Sequence, residues 1–296
     1  MNKQALFCDG TGVYVIPPEP VENQKIILRF RTAKDDVQEV KVVTSEACFS
    51  MEKGQSSEVF DYYNTRIQIG NEPLKYHFEI RGNDGEVVYF NRYGVVEEPM
   101  KTYEFVLIPN FSTPEWAKGA VMYQIYTDRF YNGDPDNDVV TGEYYYLGAR
   151  SEKVEDWNQK PAKAMAIREF YGGDLQGVLD KLDYLQELGV EVIYFNPLFV
   201  SPSNHKYDIQ DYDYIDPHFG RIVKDGGEIL PEGCADNSQA TKYQVRSAGR
   251  ANLEASNQFF AHVVEEIHRR GMKVILDGVF NHCGSFNKWM DREKIY

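Results

Sequence analysis

The hydrophobic period changes once along this chain, and that change limits what it can fold into. Through residues 25–109 apolar side chains tend to recur at every second position, the spacing of strands with one buried face. Leu74-Lys75-Tyr76-His77-Phe78-Glu79-Ile80 is the cleanest case: Tyr76, Phe78 and Ile80 are expected on one face, and Lys75, His77 and Glu79 on the other. Asn83-Asp84-Gly85 separates that run from Val87-Val88-Tyr89-Phe90. Asp-Gly between two such runs signals a hairpin, because glycine accepts the positive φ of the tight turn. Residues 25–30, 37–43 and 103–108 read as further strands, so residues 1–112 are predicted to form a β-sandwich.

After a linker at residues 111–116 the pattern becomes strand, helix, strand. Residues 121–126 read as an apolar strand. Leu175, Val178, Leu179, Leu182, Leu185 and Leu188 then fall at helical spacing, with Asp174 as N-cap and Gly189 as the stop. A strand at 190–195 follows at once. The unit is repeated: Phe259, Phe260, Val263, Val264 and Ile267 mark a helix ending at Gly271, followed by a strand at 273–276. Helices covering continuous apolar strands imply parallel pairing, in a barrel or a doubly wound sheet. No glycine-rich phosphate loop opens either helix, which counts against a nucleotide-binding version. A closed eight-stranded barrel takes roughly 250 residues. The part from Ala120 onward is shorter and shows three strands, so a chain cut short is the expectation.

Strand ends are where ligands collect in such folds. The third strand delivers Asp277 and then Asn281-His282. The second leads through Asn196-Pro197 to Ser203-Asn204-His205-Lys206-Tyr207-Asp208, where a His and a Tyr two apart can offer one sugar ring a hydrogen bond and a stacking face. Ordinary loop packing is the plainer reading of that pair. Retaining glycoside hydrolysis needs two carboxyls about 5 Å apart. Asp208 is the obvious partner for Asp277, but nothing in the spacing brings them together, and a binding role for Asp277 is preferred.

Asn132-Gly133-Asp134-Pro135-Asp136-Asn137-Asp138 crowds side-chain oxygens into one loop. Calcium takes six to eight oxygens in irregular geometry, whereas Asn and Asp also hydrogen-bond their own backbone in solvated turns. An EF-hand starting at Asp134 fails, since its sixth position is Val139 and its twelfth Tyr145. Asp174, after Phe170-Tyr171-Gly172-Gly173, caps its helix on one reading and reaches the loop on the other. Residues 221–252 show no sustained period, and no role is assigned to them.

The net charge of −14 disfavours nucleic acid as a partner. No apolar run approaches the roughly 20 residues of a membrane span, and no signal peptide is visible. Cys8, Cys48, Cys234 and Cys283 form no C-x-x-C pair, which fits a reduced, cytoplasmic setting.

Together these motifs resemble the α-amylase superfamily of glycoside hydrolases, most nearly its neopullulanase and cyclomaltodextrinase branch. Tyr123-Gln124-Ile125-Tyr126-Thr127-Asp128-Arg129-Phe130 with Asn132-Gly133-Asp134 is similar to the first barrel strand and calcium loop of that branch. Ser201-Pro202-Ser203-Asn204-His205-Lys206-Tyr207-Asp208 is similar to its second-strand loop, and Asp277-Gly278-Val279-Phe280-Asn281-His282 to its third-strand signature. The resemblance implies a starch-binding-like N-terminal β-sandwich followed by the first part of a (β/α)8 TIM barrel over residues 119–296. It implies a calcium site at Asn132, Asp134, Asn137, Asp138, the Gly172 carbonyl and Asp174. It also implies that Tyr207 stacks on the glucose ring beside the cleaved bond, with His205, Asp277 and His282 around that ring. Asn281 is read as structural.

The implied substrates are α-glucan oligosaccharides such as starch, pullulan and cyclodextrin, cleaved in two steps through a covalent glycosyl intermediate. A homodimer through the N-terminal domain is a further implication. The family's nucleophilic Asp, acid/base Glu and stabilising Asp follow its fourth, fifth and seventh strands, and none of those motifs occurs before Tyr296. The chain by itself is therefore expected to be inactive. Two alternatives stand beside the hydrolase reading: a parent transglycosylase, and a non-catalytic glucan-binding module. An open three-strand sheet also leads us to expect self-association.

Overall fold

The computed structural model describes all residues 1–296. The chain divides into two compact units, Met1–Glu115 and Trp116–Tyr296.

The first unit is a sandwich of two antiparallel sheets. One sheet runs Val15–Ile16, Lys25–Ala33, Phe60–Gln68, Glu52–Ser56; the other runs Cys48–Ser50, Val37–Thr44, Leu74–Gly82, Val87–Asn91, Gly94–Val96, with Phe105–Leu107 also on Leu74–Gly82. Lys25–Ala33 alternates strictly between exposed or half-exposed and buried positions, as period-two patterning requires. Its inward Ile26, Leu28 and Phe30 meet Val40, Val42, Tyr76, Phe78 and Ile80 of the facing sheet, all fully buried. The Phe30 and Phe78 ring centroids lie 4.5 Å apart. The predicted hairpin is present: Leu74–Gly82 pairs antiparallel with Val87–Asn91, and Gly85 takes φ +82°. One facing is revised. His77 lies largely buried rather than on the solvent side, because its Nδ1 meets the Glu104 carboxylate at 3.0 Å.

The second unit is built on three parallel strands in sequence order, Met122–Ile125, Val192–Phe195 and Lys273–Leu276. Their register aligns Ile125, Phe195 and Leu276, so all three end level. Leu175, Val178, Leu182 and Leu185 pack with Val263, Ile267 and the sheet residues Ile125, Ile193 and Phe195 to form its core. The single helix expected from 174 to 188 is two short ones, Leu175–Asp180 and Leu182–Glu187, broken at Lys181, whose φ/ψ of −106°/4° is not helical. The second helix is longer than its apolar residues indicated, running Arg250–Arg269. A further helix, Thr241–Ala248, lies in the stretch that showed no period. Its buried face is Tyr243, Arg246 and Ser247, so the face is mostly polar and hydrophobicity does not reveal it. No helix is long and apolar enough to cross a membrane.

Candidate functional site

Because the three strands end level, the residues that follow them meet. Tyr194, one position before the end of the second strand, donates its hydroxyl to Asp277 Oδ2 at 3.0 Å. Tyr207, from the loop after that strand, donates to the same oxygen at 2.9 Å. Asp277 Oδ1 receives a longer contact from Val279 N, at 3.3 Å. One carboxylate oxygen is thus doubly held by phenols and the other has only the longer Val279 contact. Burial, and then Asp277 beside it, raise the Tyr207 phenol to about 12, so at neutral pH it keeps the proton it donates to Asp277.

His205 joins the group through its neighbours. The Tyr207 backbone amide donates to His205 Nδ1 at 3.0 Å, which places the proton on Nε2. Burial also holds the imidazole pKa below its ordinary value, so His205 stays neutral and offers Nε2–H. Its ring lies 5.8 Å from that of Tyr207. His282 does not join them. It is exposed on the turn after the third strand, with Nδ1 3.1 Å from Asn281 Nδ2. Asp208 is no partner for Asp277 either: its carboxylate takes the hydroxyls of Tyr146, Ser201 and Ser203.

Sequence reasoning missed what holds this loop. Lys206, between His205 and Tyr207, is buried and ion-paired to Asp216 Oδ2 at 2.6 Å, and it also reaches the Ser201 carbonyl at 2.9 Å. Asp216 Oδ1 meets His218 Nδ1 at 2.9 Å, and His218 Nε2 meets Glu143 Oε1 at 2.9 Å. Burial would push Asp216 up, yet Lys206 and His218 outweigh it and hold the carboxyl well below its usual range. Burial would likewise lower His218, but Glu143 and Asp216 raise it instead. The signal was a lysine inside a loop otherwise rich in small and aromatic residues; its partner lies ten positions on.

The oxygen-rich loop forms a second cluster. Asp174 caps the Leu175–Asp180 helix by accepting from Gly177 N at 2.6 Å, and it also receives the amides of Gly133 and Asp134. Both readings of Asp174 are therefore partly met: it is a cap, and it pins the loop. Asp134 turns its carboxylate to Arg221. Asn137 is buried and donates to the Gly220 carbonyl. Asn132 Nδ2 donates to Asp138 at 2.9 Å, and the Lys153 ammonium is bonded to Asp138 and lies 3.2 Å from the Tyr171 carbonyl. Calcium requires six to eight oxygens free to face one point. As arranged, the set does not fit that requirement. Asp134 and Asp174 are committed elsewhere, and an ammonium lies against Asp138.

The sequence that builds these strand ends matches known families. The profile of the α-amylase catalytic domain matches residues 124–226 and 255–295, and that of the α-amylase N-terminal Ig-like domain matches residues 1–109. The chain belongs to the α-amylase family. It is similar to neopullulanase 2 of Thermoactinomyces vulgaris, 36% identical over 96% of this chain and 42% of that protein. It is also similar to a cyclomaltodextrinase of Thermoanaerobacter pseudethanolicus, 34% identical over 96% of this chain and 43% of that protein. Among solved structures, the type III pullulan hydrolase from Thermococcus kodakarensis superposes with a TM-score of 0.52 at 25% identity, covering 95% of this chain and 42% of that one. The chain thus spans about two fifths of the length of these α-amylase-family relatives. His205, Tyr207, Asp277 and His282 lie in the parts matched to the catalytic domain.

Proposed function

We propose that this chain supplies one wall of the substrate cleft of an α-glucan hydrolase of the neopullulanase–cyclomaltodextrinase type. Such an enzyme cleaves α-glucosidic bonds with retention. The reading rests on Asp277 Oδ2 held by two tyrosine hydroxyls from the neighbouring strand and its loop. Those tethers fix the Tyr207 ring and leave Asp277 Oδ1 and His205 Nε2–H as an acceptor and a donor. A sugar hydroxyl pair needs that combination, and an aromatic face beside it suits the apolar side of a pyranose. Asp277 is a binding group here, because no second carboxylate shares its hydrogen bonds. His282 enters the proposal only if ligand binding draws its exposed turn inward.

A glucan-binding role for the sandwich belongs to the same reading, supported by the exposed Tyr93 and the partly exposed Tyr103, whose rings lie 5.5 Å apart. A homodimer through that domain is supported by the family resemblance alone. A cytoplasmic setting is supported by four cysteines that form no disulfide.

Calorimetric titration with maltooligosaccharides and β-cyclodextrin, alongside hydrolysis assays on pullulan and cyclodextrin, tests the proposal. Binding that is lost in Tyr207→Ala and Asp277→Ala is the expected result. Binding unaffected by both substitutions would refute it, and turnover by the unmodified chain would mean that it holds catalytic groups this reading does not assign to it.

A further inference from the structure

We infer that the Lys153 ammonium is the resident cation of the oxygen-rich loop, and that this chain closes the loop without calcium. The inference concerns the loop alone and stands apart from the substrate assignment.

Its starting point is local pairing. The two-residue strand Glu152–Lys153 runs parallel to Glu169–Phe170, and this brings Lys153 beside the Tyr171-Gly172-Gly173 turn. Its ammonium bonds to Asp138 Oδ2 and reaches the Tyr171 carbonyl at 3.2 Å. Both members of the pair are shielded, with side-chain exposures of 14% for Lys153 and 13% for Asp138. Gly172 has φ +84°, and a Cβ there would overlap the Asp138 carboxylate, the Lys153 ammonium and the Asn132 amide. Those three groups therefore converge on the spot that the Gly172 backbone leaves open.

Charge explains why a monovalent cation suffices. Two of the three carboxylates expected to bind calcium have partners other than Lys153. Asp134 has the Arg221 guanidinium, and Asp174 has the amides of Gly133, Asp134 and Gly177. Only Asp138 is left to be neutralised, and one ammonium does so. A lysine offers three donors at hydrogen-bond distance, where calcium seeks six to eight oxygens. Asp138 and the Tyr171 carbonyl take two of the three. The Asn132 amide keeps its Nδ2 on Asp138, and its Oδ1 is buried without a partner. Asn137 Oδ1 is also unpartnered, but two amide oxygens fall well short of the six to eight that calcium takes.

The test is a metal titration with melting curves on the full 296-residue chain. After chelator treatment, calcium chloride should give no stoichiometric heat, and the melting temperature should be the same in chelator and in millimolar calcium. Lys153→Met should melt lower by about 4 °C or more in chelator and recover when calcium is added, because Asp138 is then free to bind it. If that variant does not fold, Lys153→Met combined with Asp138→Asn removes both charges together. The double variant should fold and ignore calcium. One-to-one calcium binding by the unmodified chain, or a lower melting temperature in chelator, overturns the inference. So does a folded Lys153→Met variant that melts like its parent with or without calcium, or calcium binding by the double variant.

Discussion

The two units of this chain differ in how much charge they bury beside an apolar core. In the sandwich the buried polar residues are Thr32, Asp61, His77 and Asn91, set around a continuous core of Ile, Leu, Val and aromatic side chains. The second unit buries Asp128, Glu143, Asp174, Lys206, Asp216, His218 and Arg246, among others, beside a core of comparable apolar character. An apolar core is held by area removed from water and by close packing, and neither depends on pH. A buried ionic chain holds only while every member keeps its partner and its charge. The second unit accepts that condition at the candidate site, because Lys206 anchors the loop that carries His205 and Tyr207.

Matched substitutions sharpen the contrast. Lys206→Met leaves Asp216 buried with His218 and the Ser201 amide as its remaining partners and should cost about 3–5 kcal/mol. Phe78→Ala opens a cavity in the sandwich and should cost about 3–5 kcal/mol as well. Denaturant unfolding should show the first lowering the transition of the second unit and the second lowering that of the sandwich. Equal loss in a single shared transition would break the comparison. Lys206→Met should also abolish oligosaccharide binding, which Phe78→Ala should leave intact.

The pH dependence separates the units further. The folded pKa of His218 is raised above its ordinary 6.5. Its stabilising contribution is therefore complete below 6.5 and is lost as pH rises through the folded value. Each pH unit of that elevation is worth about 1.4 kcal/mol. The folded pKa of Asp216 is depressed below its ordinary 3.8, so its contribution is present above 3.8 and lost as pH falls through the folded value. Melting curves across pH should show the second unit most stable between these limits, and His218→Gln should flatten the alkaline fall. A sandwich transition with the same alkaline fall would contradict the assignment to His218.

The smallest expected effect is at the candidate site. Tyr207→Phe keeps the ring and removes one of the two hydroxyls on Asp277. Because that carboxylate is only half-buried, the expected loss in glucan affinity is about 1 kcal/mol, roughly fivefold. Unchanged affinity would mean that Tyr194 alone positions Asp277.

Self-association bears on the same contrast. The outer parallel strands have unpaired edges, and Met122, Leu276, Phe280 and Trp289 are exposed around them. Light scattering should show concentration-dependent association that an isolated sandwich lacks.

What was legible in the residues was what repeats locally. Period two located the strands of the sandwich, and Asp84-Gly85 located its hairpin. Helical spacing with a capping Asp174 located the first helical segment, although it did not reveal the break at Lys181. Apolar runs ending in Asn196 and Asp277 located the strand ends. The helix Thr241–Ala248 was not legible, since its inward face includes an arginine paired with Glu143 and Asp225.

The sequence by itself therefore determined the two architectures and the neighbourhood of the site, because a strand or a helix turn writes its burial into residues a few positions apart. Only the tertiary structure decided the partners. Tyr194 meets Asp277 across 83 positions, His218 meets Glu143 across 75, and Lys153 meets Asp138 across 15. A buried charge is stable only beside a specific counter-charge, and which one arrives depends on the register of strands and loops rather than on any spacing along the chain.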